Sequence, residues 1–172
     1  MAYKNEYTQI ANGNVVPLPS ADTKDGTIDA AAGSENITGT ATDFQSDVTP
    51  GDYLFANNEV RKVISVSQDY NVTGIDATGN SIKVYEQLLV IDSAFGAPLV
   101  GANFDVIKKD IRKLSISNPS TDFFTVDGVT VDAGDTINID REGPNGVADS
   151  FIDPIVVDTT NAASFARALI IK

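Results

Sequence analysis

Forty-eight of the 172 residues are Val, Ile or Thr, against seven Leu and five Glu. Branching at Cβ crowds a helical turn but fits the pleated, half-buried surface of a sheet, so this excess of branched residues excludes a helical bundle. The chain is expected to be all-β: a small β-barrel or sandwich module followed by a second β-rich unit. An extended arm would precede both, giving segments 1–34, 35–111 and 112–172.

Residues 1–34 carry scattered apolar side chains (Tyr3, Tyr7, Ile10, Val15, Val16 and Leu18) and end in a run of small residues. That content is high for a disordered tail, so the segment reads as an arm that gains order on a partner's surface. In the next segment Gly39 to Phe44 reads as one strand. Pro50-Gly51-Asp52 then turns into Tyr53-Leu54-Phe55-Ala56, and Asn57-Asn58 closes a hairpin because Asn tolerates positive φ. The returning strand, 59–67, would put Val60, Ile64 and Val66 on one face. A strand over 70–76, a turn at Thr78-Gly79-Asn80, a strand with Ile82, Val84, Leu88 and Val90 on one face, and a last strand over 103–107 complete the module.

The third segment holds the clearest local signal. Asp127-Gly128 predicts a type I′ hairpin in which Val126 faces Val129 and Phe124 faces Val131, one face being wholly apolar. Ile137 and Ile139 continue the pattern. Pro154 predicts an edge strand or bulge over 152–157. Residues 165–172 read as a strand with Phe165, Leu169 and Ile171 on one side, or as a short helix.

The chain has no Cys, His or Trp. This rules out a Ser-His-Asp triad, a thiol nucleophile, a Cys/His zinc site and a disulfide framework. With 24 acidic and 12 basic residues the formal charge is −12, which repels nucleic acid and anionic lipid. No apolar run approaches a membrane span or a signal peptide, so a reducing cytosol is the expected place of synthesis. Nineteen acids are Asp, yet residues 140–146, with Arg141 among them, lack the spacing of a calcium loop. No phosphate-binding glycine motif occurs, and no spacing marks a carboxylate pair for glycoside hydrolysis. No catalytic residue, cofactor or metal is therefore expected. The one reversal of charge is at 108–113, where Lys108, Lys109, Arg112 and Lys113 gather. It reads either as a solvated connector or as a docking contact for an acidic neighbour.

Several stretches between 36 and 110 resemble a module of tailed-bacteriophage structural proteins. They are Ile37-Thr38-Gly39-Thr40-Ala41-Thr42-Asp43-Phe44, then Val48-Thr49-Pro50-Gly51-Asp52-Tyr53-Leu54, then Glu59-Val60-Arg61-Lys62-Val63-Ile64-Ser65-Val66. Leu88-Leu89-Val90-Ile91-Asp92-Ser93-Ala94-Phe95 and Gly101-Ala102-Asn103-Phe104 follow. Phe44 and Phe55 would plug the core of the barrel, and the segment 73–86 is longer than the pattern. The resemblance implies a virion component, made in the host cytoplasm and bound to the major capsid protein or other virion subunits. A homo-oligomeric capsid decoration protein on the head surface is the first expectation; a neck, tail or fibre-attachment component is the second. A carbohydrate-binding adhesin, with Tyr70 and Tyr85 against sugar, is a reading from a different class.

Overall fold

The apolar periodicity is realised almost wholly as strand. The computed structural model describes residues 5–75, 78–79, 81–108, 111–140, 152–161 and 163–172, with backbone alone over 68–75 and 81–87. The first strands are β1 (Asn5–Ile10) and β2 (Val15–Leu18). Then come β3 (Asp22–Thr23), β4 (Thr27–Ala30), β5 (Asn36–Thr40), the one-turn helix α1 (Phe44–Asp47), β6 (Tyr53–Ala56), β7 (Glu59–Ile75), β8 (Ser81–Ile91), β9 (Leu99–Ala102) and β10 (Asp105–Ile107). The last six are β11 (Lys113–Ser117), β12 (Phe124–Val126), β13 (Val129–Val131), β14 (Thr136–Asp140), β15 (Ile155–Asp158) and β16 (Ala166–Ile171).

These strands form two compact units, and their limits differ from the expected three segments. One unit joins Met1–Ala21 to Ile107–Lys172; the other is Asp22–Val106, inserted between the two halves of the first. The expected arm is divided between them. β1 pairs along its whole length with β16, and β2 with β15, so both are integral strands of the discontinuous unit. Ladders between residues this far apart in sequence leave no local trace, which is why the segment reads as an arm.

The discontinuous unit has two four-stranded antiparallel sheets, β1-β16-β11-β14 and β13-β12-β15-β2. Counting only its own eight strands, the orders are first-eighth-third-sixth and fifth-fourth-seventh-second. That is the order of a double-sheet jelly roll, the architecture of many viral capsid and lectin domains. One shared core lies between the sheets, with Ile10, Leu114, Ile116 and Ile170 from the first and Leu18, Phe124, Val126 and Val157 from the second.

Among the described strands of this roll only β12 and β13 are consecutive and paired, and the Asp127-Gly128 turn joins them in the expected register. Asp127 and Gly128 have φ of 47° and 78°, the left-handed pair that a type I′ turn requires. Phe124, Val126 and Val131 are buried, whereas Val129 is 62% exposed, so the hairpin's apolar face is only partly covered. Gly128→Ala has open space around its new methyl but the wrong backbone preference. It should destabilise the roll by about 1–2 kcal/mol in a denaturant titration. β15 is flanked on both sides, so Pro154 precedes an inner strand rather than marking an edge. Pro17 takes the edge position, in β2, where its missing N–H costs no ladder bond. Residues 166–171 are strand, not helix, and Leu169 and Ile171 do share a face. It is the outward one; Ala166, Ala168 and Ile170 fill the core.

The inserted unit is a single eight-stranded sheet in the order β3-β10-β6-β7-β8-β5-β4-β9. β3 and β4 are consecutive in sequence, as are β9 and β10, and each pair is split between the two ends of the sheet. The sheet therefore curls until its ends approach, with no ladder closing it among the described residues. Asn57 and Asn58, both at positive φ, close the expected β6–β7 hairpin. β5 stops at Thr40, short of the predicted strand end at Phe44. Ala41 is left-handed, and Asp43 caps α1 by accepting a hydrogen bond from the Ser46 N–H. Gly39 is obligatory here, since a methyl on it would lie 2.8 Å from the Phe44 ring.

Phe44 is fully buried and meets Phe104 edge-on at 5.7 Å, so Phe104, not the half-buried Phe55, is its core partner. β7 carries a bulge at Ile64, between the pairs Val63↔Ile91 and Ser65↔Val90. The extra residue puts Val63 and Val66 inward opposite Ile91 and Leu89 and leaves Ile64 exposed, displacing the expected Val60-Ile64-Val66 face. The inward face of β8 is likewise Leu89 and Ile91, one residue off the expected Leu88 and Val90. Beyond residue 67, the described residues of β7 and β8 pair only with one another, so those at 73–75 and 81–86, within the long segment, form a two-stranded ladder.

Candidate functional site

The residues expected to contact a partner separate into two groups. Ile10 and Leu18 are 4% and 1% exposed and belong to the jelly-roll core, so neither is a contact surface. Val15 and Val16 are half-buried in β2 beside β15. The turn between β1 and β2 is fixed by Thr159: its buried hydroxyl donates to the Ala11 carbonyl at 2.7 Å, and its carbonyl accepts from the Gly13 N–H at 2.8 Å. Of the described arm residues expected to make contact, Tyr7 alone is exposed, at 76%. Tyr3 lies outside the described residues.

The basic cluster is also less free than its sequence suggests. Lys113 starts β11 and pairs with Asp140 across the ladder at 3.2 Å. The Arg112 N–H donates to the Ile171 carbonyl at 2.8 Å, so its backbone belongs to the sheet. Lys108 is exposed where the chain returns from the inserted unit, and Lys109 lies outside the described residues. The tyrosine side chains at 70 and 85 and the loop residues 141–146 are likewise outside them.

Several aspartates have backbone partners. Asp52 accepts from the Thr49 N–H, Asp92 from Lys62, Asp29 from Gly101 and Asp127 from Val156, each at 2.8–3.0 Å. These are turn and loop ties, and among the described residues no cluster of three or more acids could hold a metal. Lys24 joins Asp22 and Asp47 at 2.8 and 3.5 Å. The Asp22 hydrogen bond holds its ammonium above the ordinary lysine pKa. The resulting support is complete below that ordinary value and fades as pH rises through the raised one.

The Glu59-Val60-Arg61 stretch has a structural job. Arg61 pairs with Glu59, donates to the Ala94 carbonyl at 2.9 Å and lies over the Phe95 ring, while the Glu59 carboxylate accepts from the Gly96 N–H at 3.0 Å. This ties the loop before β9 to β7.

Among the described residues a groove of about 440 Å³ lies on the outward face of sheet β1-β16-β11-β14. Ladder register sets its floor and walls. Tyr7, Leu169, Ser115 and Asn138 form one row across the four strands, and Gln9, Arg167, Ser117 and Thr136 form the next. The small serines of β11 lie between taller neighbours, which hollows the face. Ser115, Ser117 and Arg167 do not stand out in the sequence. Their signal would have been strict alternation with the buried Leu114, Ile116, Ala166 and Ala168, but the meeting of β11 with β16 and β1 is visible only in the fold. Among the described residues no helix is long and apolar enough to cross a membrane.

The strand order thus defines the class: an all-β protein built on a jelly roll, with a curled sheet inserted between its second and third strands. No protein-family model, curated protein or solved structure matches the chain.

Proposed function

We propose that this chain is a non-enzymatic structural component of a tailed-bacteriophage virion, binding and bridging coat subunits on the outer surface of the head. The observation that carries the reading is the jelly-roll strand order, an architecture shared by many capsid domains. Two further features support it: the resemblance between 36 and 110, and a charge of −12, which disfavours nucleic acid and anionic membrane as partners.

Since Ile10 and Leu18 serve the chain's own core, contact with coat subunits or further copies of the chain falls to the sheet edges and outward faces. Exposed edges recruit partners by strand addition. Imaging of labelled particles tests the location: copies distributed over the shell are expected, and a ring at one vertex would assign the chain to the neck or tail instead. Particles lacking the protein should break at lower temperature and under milder osmotic shock than complete ones. Equal resistance would remove the bridging role.

A further inference from the structure

The geometry points to the groove on sheet β1-β16-β11-β14 as a binding site for an acidic saccharide, one bearing a carboxylate. It goes beyond the virion role and stands without it.

The first observation is which groups the groove offers. β16 and β11 are both inner strands, paired on each side, so their N–H and C=O groups are consumed by the ladders. A peptide could not add its backbone to this floor; only side chains are left to recognise a ligand. Those side chains are hydroxyls, an amide and a guanidinium: Ser115, Ser117, Gln9 and Arg167, with Tyr7 and Leu169 beside them. Such a set matches a molecule whose surface is mostly hydroxyl with an apolar C–H face.

The second observation is the exposed ring. Tyr7 is 76% exposed on β1, in the same row as Leu169 and Ser115. An aromatic face beside hydroxyl donors can carry the C–H face of a sugar ring while its hydroxyls reach the serines and the amide. From strand spacing, the patch from Tyr7 to Ser117 spans roughly 10 by 7 Å. Its volume of about 440 Å³ falls within the roughly 300–1,000 Å³ of small-ligand sites.

The third observation is charge. In a protein with twice as many acids as bases, Arg167 has no carboxylate partner among the described residues; its guanidinium lies 6.0 Å from the centre of the Phe165 ring. Lys113, on the same face, is paired with Asp140. Arg167 is therefore the groove's open cation, and a guanidinium takes a carboxylate through two parallel hydrogen bonds.

Calorimetric titration of the full chain with sialyllactose, trigalacturonate, neutral lactose and a hexaglutamate peptide tests this. One or both acidic saccharides should bind at least about tenfold more tightly than lactose, and Arg167→Gln and Tyr7→Ala should each weaken that binding at least about tenfold. Both residues are exposed, so the thermal midpoint should not move, and unchanged melting separates lost binding from lost fold. Absence of saturable binding by either acidic saccharide at millimolar concentration would overturn the proposal, as would binding that both variants leave intact. Lactose binding equally well would overturn the acidic assignment, and equal affinity for hexaglutamate would overturn the saccharide.

Discussion

Deletion of residues 1–21 should abolish the folded jelly roll. The deletion removes β1 and β2, an edge strand from each sheet, with their ladders to β16 and β15. It also takes Ile10 and Leu18 from the core, each worth about 1.5–3 kcal/mol on burial. Lost ladders and newly exposed apolar surface add to this, against a typical total stability of about 5–15 kcal/mol. Hydrogen exchange would read the outcome residue by residue: amides of β15 and β16 should lose protection, while those of β5 and β6 in the inserted unit keep theirs. Retained protection in β15 and β16 would mean that residues 1–21 behave as the detachable arm their sequence suggests.

Phe44→Ala should produce the largest loss from a single substitution in the inserted unit, about 3–5 kcal/mol, read from the denaturant midpoint of β5–β8 amide protection. The ring is fully buried, is packed edge-on against Phe104, and fills the space that Gly39 leaves open. Because Gly39 and α1 fix its position from both sides, the backbone has little room to close the cavity. Phe44→Leu should cost less, since most of the volume is retained. A loss below about 1 kcal/mol for Phe44→Ala would show that the core collapses around the gap.

Local chemistry was legible in the sequence wherever one or two residues determine it. Asp127-Gly128 and Asn57-Asn58 form the predicted turns because left-handed backbone at consecutive positions has few other carriers. The all-β class followed from the chain-wide excess of branched residues, which favour the pleated surface of a sheet. Side-chain direction was harder to read. In Leu88-Leu89-Val90-Ile91 every position is apolar, so alternation alone cannot say which pair points inward, and the bulge at Ile64 resets the period of β7.

Long-range pairing was not legible at all. Tyr7, Ile10 and Leu18 read as similar apolar spots on one arm, yet two of them are core and one is surface. Their fates are decided by β15 and β16, at the other end of the sequence. The groove has the same origin. Ser115, Ser117 and Arg167 are unremarkable until two ladders bring them beside Tyr7.

The insertion of one unit between the second and third strands of the other also sets an order of events during translation. Asn12 and Thr159, which bond across the β1–β2 turn, are 147 residues apart, roughly 7–30 s of synthesis at about 5–20 residues per second. The inserted unit is contiguous and can fold within that interval. The first two strands must wait beside it, unpaired, for partners not yet made, and during that wait their edges are open to pairing with another nascent chain. Slower elongation should therefore increase aggregation of newly made chains, and a circular permutant that begins at the inserted unit and links Lys172 to Met1 would shorten the wait.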